Sequence, residues 1–282
     1  MKNIFVFDLD DVVVKPIFTS DTRERIYQEL DQYIGMEFRK KMSVDIMGYT
    51  HMIYPGFFTL FQWIHNRGDV FYFFSTGVKK RNEKITKIII KKTFNELAAK
   101  IIKQTKIFSR EDCLDTTLLE DGRSSKYQPV SFYGNKKKKL KGVVVSKEQL
   151  PNTLLIDDDP SYILKGEEKN FIKVPLTTFY FQPNYEKTFY SFHTAFYICG
   201  LLAKIISISK KKNIPLRESS WSLIDDDLKP ENHTAKELKN NQYRHLHNTK
   251  DLSLYKSGLK ILQEINPELD FLLDPKEFIK NN

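Results

Sequence analysis

The chain has 282 residues, with 45 lysines and arginines against 36 acids and a net charge of +9. It has room for one large domain or two modest ones, and its charge favours anionic partners such as phosphopeptide, nucleic acid or anionic lipid. Hydrophobic residues at 40% and aromatics at 13% are enough for a real core, and two distant cysteines, Cys113 and Cys199, argue against a disulfide framework and for a reducing cytoplasm.

The first stretch, KNIFVFDLDDVVV, organises the rest. Ile4 to Phe7 are apolar, β-branched or aromatic, which predicts a buried strand of a parallel sheet. That strand begins almost at Met1, so no secretory signal peptide is expected before it. It runs into Asp8, Asp10 and Asp11, at the end of the strand where open α/β sheets place their sites. A side chain of one acid and a carbonyl of the next could share a hard cation such as Mg²⁺. The same residues also read as a solvated acidic turn.

Residues 15–54 are largely polar and helix-prone, with a helix expected over Thr22 to Phe38. Pro55 and Gly56 break this insertion, and Phe57 to His65 has the spacing of an amphipathic helix closed by Gly68. Asp69 to Phe74 is a second buried strand, ending in Ser75, Thr76 and Gly77, a triplet able to turn the chain and offer donors to an anion. Lys79 to Lys103 predicts one long basic helix or two, with its lysines solvated.

Lys106 to Phe108 begins a third strand, and 111–133 is a loop-rich excursion. Lysines crowd 136–141, a short strand is expected at Val143 to Val145, and a helical turn at Lys147 to Leu150. The fourth buried strand, Thr153 to Ile156, feeds Asp157, Asp158 and Asp159; Phe171 to Val174 is the fifth. Alternating strands and helices predict an α/β fold, a doubly wound parallel sheet. From Tyr185 on the pattern is helical: Phe189 to Lys211, Thr234 to Leu246, Asp251 to Ile265 and Pro275 to Ile279. The expected division is a core over 1–184, with a cap-like insertion at 15–54, and a helical domain or extension over 185–282. Phe189 to Ile208 reads as a buried helix rather than a membrane span, since it carries His193 and Lys204.

In order along the chain stand FDLDDV, FFSTG, a lysine near 136–141 and LLIDDDP. This series resembles the haloacid dehalogenase superfamily of phosphotransferases, and within it the FCP/NIF-type carboxy-terminal-domain phosphatases. Pro55-Gly56 and IFSREDC at 107–113 fit further pieces of that pattern. The resemblance covers residues 2–175 and implies a Rossmann-like core and Mg²⁺-dependent hydrolysis of a phosphomonoester. It implies Asp8 as the nucleophile that forms an aspartyl-phosphate, and Asp10 as general acid and then base. It implies Mg²⁺ held by the Asp8 carboxylate, the Asp10 carbonyl and one acid of the Asp157–Asp158 pair. Ser75, with Thr76 and Gly77, would bind the phosphoryl oxygens, and Lys141 would balance charge, chosen over Lys136 to Lys139 by its separation from Asp157.

Val12 stands where the family often has threonine, and the insertion at 15–54 is unusual for the FCP/NIF type. Some HAD-type effector phosphatases of intracellular bacteria share this outline and act on phosphotyrosine, which would place the chain in a host cytosol. The substrate expected is a phosphorylated protein, on phosphotyrosine or phosphoserine and threonine, without stable nucleic-acid binding. Two alternatives stand beside it: a phosphatase of a small metabolite or nucleic-acid end, and a docking module whose basic C-terminal part contacts anionic membrane or protein. Asp225 to Asp227 read as a helix N-terminal or loop feature, His245 and His247 as a surface pair, and Cys113 as a structural residue.

Overall fold

The computed structural model describes residues 2–17, 28, 31, 35–115, 136–159, 162–164, 166–175, 193–224 and 251–271. In chain order they form β1 (Ile4–Phe7), β2 (Val14–Ile17), α1 (Met36–Met42), β3 (Ser43–Ile46), β4 (Tyr49–Ile53), α2 (Phe57–Asn66) and β5 (Val70–Phe74). These are followed by α3 (Lys79–Phe94), α4 (Ala98–Gln104), β6 (Ile107–Phe108), β7 (Leu114–Asp115), β8 (Lys136–Lys137), β9 (Thr153–Asp157) and β10 (Phe171–Lys173). The helices α5 (Thr194–Lys212), α6 (Leu216–Trp221) and α7 (Leu252–Gln263) complete the described chain.

Five strands make one sheet in the order β10–β9–β1–β5–β6, and every neighbouring pair is parallel. The fold is α/β, as the alternation of apolar runs predicts. Successive residues of each strand face opposite sides, and both sides are covered. Phe5, Phe7, Phe71, Phe73 and Ile156 join a core with Phe57 and Phe61 of α2, Ile85 and Ile89 of α3, and residues of α5 and α7. Ile4, Val6, Tyr72, Phe74 and Leu155 join a second core with Leu140, Val144 and Trp221. Phe61 is the hub of the first, its ring centroid 5.2 Å from Phe7, 4.8 Å from Phe71 and 5.5 Å from Phe73. Each such fully buried ring contributes on the order of 2–3 kcal/mol through removal from water.

The chain leaves β1 toward β5 and β6 on one side, then returns to lay β9 and β10 on the other. The order therefore reverses at β1, so the carboxyl ends of β1 and β9 lie side by side where open α/β sheets bind ligands.

The insertion differs from its sequence reading. α1 is helical, but β2, β4 and β3 form an antiparallel sheet of their own, in that order. SVDI and YTHMI flank Met47 and Gly48, whose φ angles are 54° and 82°. Two successive positive φ angles make the tight turn that matches strand twist, and pairing then overrides helix propensity. Val143 to Val145 is likewise a turn rather than a strand, closed by the Val144 and Val145 N–H groups on the Leu140 carbonyl at 2.9 and 3.0 Å. Most of the helix expected over Thr22 to Phe38 lies outside the described residues. So do Thr234 to Leu246, Pro275 to Ile279, Asp225 to Asp227, His245 and His247.

Helices α5 and α7 cross at a glycine pair. A Cβ on Gly258 would stand 1.8 Å from the Phe196 carbonyl oxygen, and one on Gly200 would stand 2.0 Å from that of Leu254. Only hydrogen fits there, so the two backbones approach closely. Gly258→Ala is expected to destabilise the protein by about 3 kcal/mol through overpacking, despite alanine's better helix propensity. A urea midpoint at or above that of the parent would show that the contact can relax. Among the described residues no helix is long and apolar enough to cross a membrane.

Candidate active site

β1 and β9 are in register, Phe7 beside Ile156, so the residues just past that pair are brought together by the backbone itself. The Asp8 N–H donates to the Ile156 carbonyl at 2.9 Å, and the Asp159 N–H donates to Asp157 Oδ1 at 2.9 Å. As a result one carboxylate oxygen each from Asp8, Asp157 and Asp158 lie within 4.8 Å of one another. Asp8 and Asp157 are buried, and Asp158 lines the cleft above them.

One cation sits among these acids. Lys138 Nζ donates to Asp8 Oδ1 at 2.7 Å and to Asp157 Oδ2 at 2.5 Å, and the side chain is fully buried. Burial works against its ammonium, but Asp157 and Asp8 outweigh that and hold its pKa above the ordinary lysine value. Burial pushes the Asp8 carboxyl well up; Lys138 opposes this while Asp157 and Asp10 add to it. Asp158 is pushed up in the same direction, first by burial and then by Asp157 and Asp8.

Lys141, chosen from its separation along the sequence, is not at the acids. It is exposed, and its backbone N–H donates to Glu167 Oε1 at 2.9 Å. The reason is a backbone pairing outside the main sheet: Lys138 bridges to Ile163, and its N–H donates to the Tyr162 carbonyl at 2.9 Å. That pairing aims the Lys138 side chain under the sheet edge and leaves Lys141 beyond it, in a turn.

The β5 end supplies the second wall. Ser75 is buried; its hydroxyl donates to Asp10 Oδ2 at 3.1 Å and accepts the Gly77 N–H at 3.1 Å. Asp10 Oδ2 also takes Arg81, from the first turn of α3, as an ion-pair partner. Asp10 Oδ1 is buried without a hydrogen-bond partner among the described residues. The Asp10 side chain is thus turned toward Ser75 and Arg81, outside the trio formed by Asp8, Asp157 and Asp158. Thr76 and Gly77 line the cleft, and Arg110 Nε donates to the Thr76 carbonyl at 2.9 Å. Asp11 adopts φ 59° and pairs with Lys15, which fixes the turn after β1.

The cleft has a volume of about 500 Å³ and is roofed by the insertion: Pro16, Ile46, Met47, Tyr49 and His51 line it together with Asp8, Asp10, Asp158, Arg81 and Arg110. Burial, then Arg81, lowers the His51 pKa, so this ring is neutral near pH 7. Cys113 is half-buried, and burial pushes its thiol up to about 11, which fits a structural residue and not a nucleophile.

Three cations of the site, Arg81, Arg110 and Lys138, have no role in the sequence reading. Arg81 stands in the basic helix after Ser-Thr-Gly, where the sequence reading concerns only the lysines, as a solvated face. Arg110 lay in IFSREDC, matched but given no part. Lys138 was passed over for Lys141. For Arg81 a signal existed: it lies within the turn after Ser-Thr-Gly, on the helix whose start must face the same sheet edge.

Fold and cleft define an α/β protein with a carboxylate centre at the carboxyl edge of a parallel sheet. No family model matches the chain, and no curated protein matches it. Solved structures similar to it include Fcp1, an essential RNA polymerase II CTD phosphatase, and a fission yeast Fcp1 variant bound to beryllium fluoride. Their TM-scores are 0.38 and 0.37, each at 14% identity, with 94% of this chain and 62% of each other chain covered. The chain thus spans less than two thirds of the length of those phosphatases. At that level of likeness the side chains themselves have to carry the functional reading.

Proposed function

We propose that the chain is a phosphatase of the haloacid dehalogenase type, hydrolysing a phosphomonoester through Asp8. The observation that carries this is the convergence of Asp8, Asp157 and Asp158 from two adjacent strand ends around a buried Lys138. An Asp8 oxygen attacks phosphorus and the bond to the leaving oxygen breaks, giving an aspartyl-phosphate. Asp10, whose Oδ1 has no hydrogen-bond partner among the described residues, would pass a proton to the leaving oxygen. Water then attacks the phosphorus, Asp10 takes a proton from it, and phosphate leaves Asp8. Ser75, with Arg81 and Arg110 in the cleft, supports the phosphoryl oxygens, and Lys138 takes the charge-balancing role first assigned to Lys141.

The acids fit a hard divalent cation. They are an oxygen-only set, and beside Lys138 both Asp8 and Asp158 keep raised pKa values, first through burial and then through the neighbouring acids, a cost that a bound cation would offset. Asp8, Asp157 and Asp158 would hold Mg²⁺. When bound, that ion neutralises the repulsion between carboxylate and phosphate and orients the phosphoryl oxygens.

A phosphorylated protein is the substrate proposed, supported by the net charge of +9 and by two arginines in the cleft. A small phosphorylated metabolite is the second reading, favoured by the insertion strands that roof the cleft.

The test is phosphate release from an aryl phosphate: it should stop on chelation and return with Mg²⁺. No release with any divalent cation would overturn the proposal. Mg²⁺ should also raise Tm, and by more at about pH 7.5 than at about pH 5. The sign follows from the raised pKa values of Asp8 and Asp158. Without the ion, the protonated acids stabilise the fold at low pH, and that contribution is lost as pH rises through their folded values. A cation replaces the lost protons. An Mg²⁺ effect on Tm that shrinks with rising pH would place the ion elsewhere.

A further inference from the structure

Resting on the phosphatase reading, we infer that the turn Ile46–Tyr49 recognises the leaving group and that the cleft takes aromatic phosphate esters of the phosphotyrosine kind in preference to alkyl esters. The turn is a two-residue hairpin with positive φ at both Met47 and Gly48. Such turns favour Asn-Gly or Asp-Gly, because asparagine and aspartate enter the left-handed region at lower cost than methionine. A strained residue of this kind points to a use outside the local fold. Core packing is not that use, since Met47 is 52% exposed. Its side chain instead lines the cleft that holds Asp8, Asp10, Asp158 and Arg81.

Met47 has apolar company there. Ile46, Pro16 and the Tyr49 ring line the same cleft, and Tyr49 is 46% exposed. Among the described residues the sheet-edge side supplies every acid and arginine of the lining, together with Thr76, Gly77, Val78 and Tyr162, while the insertion supplies Pro16, Ile46, Met47, Tyr49 and His51 and no formal charge. A phosphoryl group belongs with the first set. The second set then meets whatever is esterified to it. A volume of about 500 Å³ is far more than a phosphoryl group fills, which leaves room for a ring. A thioether and a tyrosine ring both suit an aromatic face or edge, whereas a serine methylene offers them almost no surface.

The experiment uses the whole chain, the parent and Met47→Asn, with two peptides of one sequence bearing phosphotyrosine or phosphoserine. The parent should favour the phosphotyrosyl peptide in kcat/KM. Met47→Asn should cut that preference roughly 10-fold, the size of one lost apolar contact in discrimination. The variant should also melt at or above the parent temperature, because Asn-Gly suits the turn. An unchanged preference, a parent that favours phosphoserine, or a variant that melts lower would each overturn the inference. Binding of benzylphosphonate against methylphosphonate, followed by calorimetry, reads the same contact without turnover. If the parent hydrolyses nothing, the phosphatase reading fails. The inference then stands or falls on whether Met47→Asn weakens benzylphosphonate alone; equal weakening of both, or of neither, overturns it.

Discussion

Asp8→Asn is expected to reduce phosphate release at least ~1000-fold, the scale of nucleophile deletions, while leaving the fold intact or firmer. The substitution is close to isosteric. The amide oxygen can still accept from Lys138, and the backbone hydrogen bond to Ile156 is untouched. What is lost is the second anionic oxygen, and an amide cannot form the acyl phosphate. The stability side has its own sign. Burial and the neighbouring acids make the Asp8 carboxylate costly, so removing its charge relieves repulsion with Asp157. Tm measured without divalent cation should therefore hold or rise. Steady-state kinetics on an aryl phosphate beside a thermal melt check both halves. A parent-like rate would move the nucleophile to another group, and a large drop in Tm would show that Asp8 is chiefly a structural anion.

Lys138→Met should remove both activity and much of the stability. Methionine fills a similar volume, but two buried carboxylates then face each other without their shared cation. Breaking a buried ion pair from one side costs about 3–5 kcal/mol. The loss should be smaller near pH 5, where the Asp8 carboxyl with its raised pKa can protonate, and larger as pH rises and it must ionise. Lys141→Ala is the control: an exposed side chain away from the acids, its replacement should move stability by no more than ~0.5 kcal/mol and leave the rate unchanged. Denaturant titrations at two pH values and phosphate release for both variants decide between the lysines. If Lys141→Ala were the inactive one, the charge-balancing role would return to the turn beyond Lys138.

Much of the core could be read directly from the chain. The five strands of the main sheet, α2, the pair α3 and α4, and α7 fall where apolar spacing puts them, because both-faces-buried strands and one-face-buried helices leave unmistakable periods. The insertion was harder. Its polar residues score as helix formers, and the hairpin turn is Met-Gly rather than Asn-Gly, so the usual turn signal is missing. Its strands pair with each other only because the chain folds back, a non-local event that propensity does not contain.

The cleft divides in the same way. Asp8, Asp157 and Asp158 could be paired in advance, since acids that end adjacent parallel strands must meet at one edge. The choice of lysine could not. Five lysines between 136 and 141 are chemically alike, and what separates Lys138 from Lys141 is a single backbone pairing with Tyr162 and Ile163, set by a distant segment. Arg81 meets Asp10 for a comparable reason: α3 starts at the same sheet edge, and the direction of that start is decided by packing. The sequence by itself determined which strand ends carry charge. Only the tertiary structure decided which cations answer them, because a buried ion pair depends on where a side chain is aimed, and aim is fixed by contacts far away in the chain.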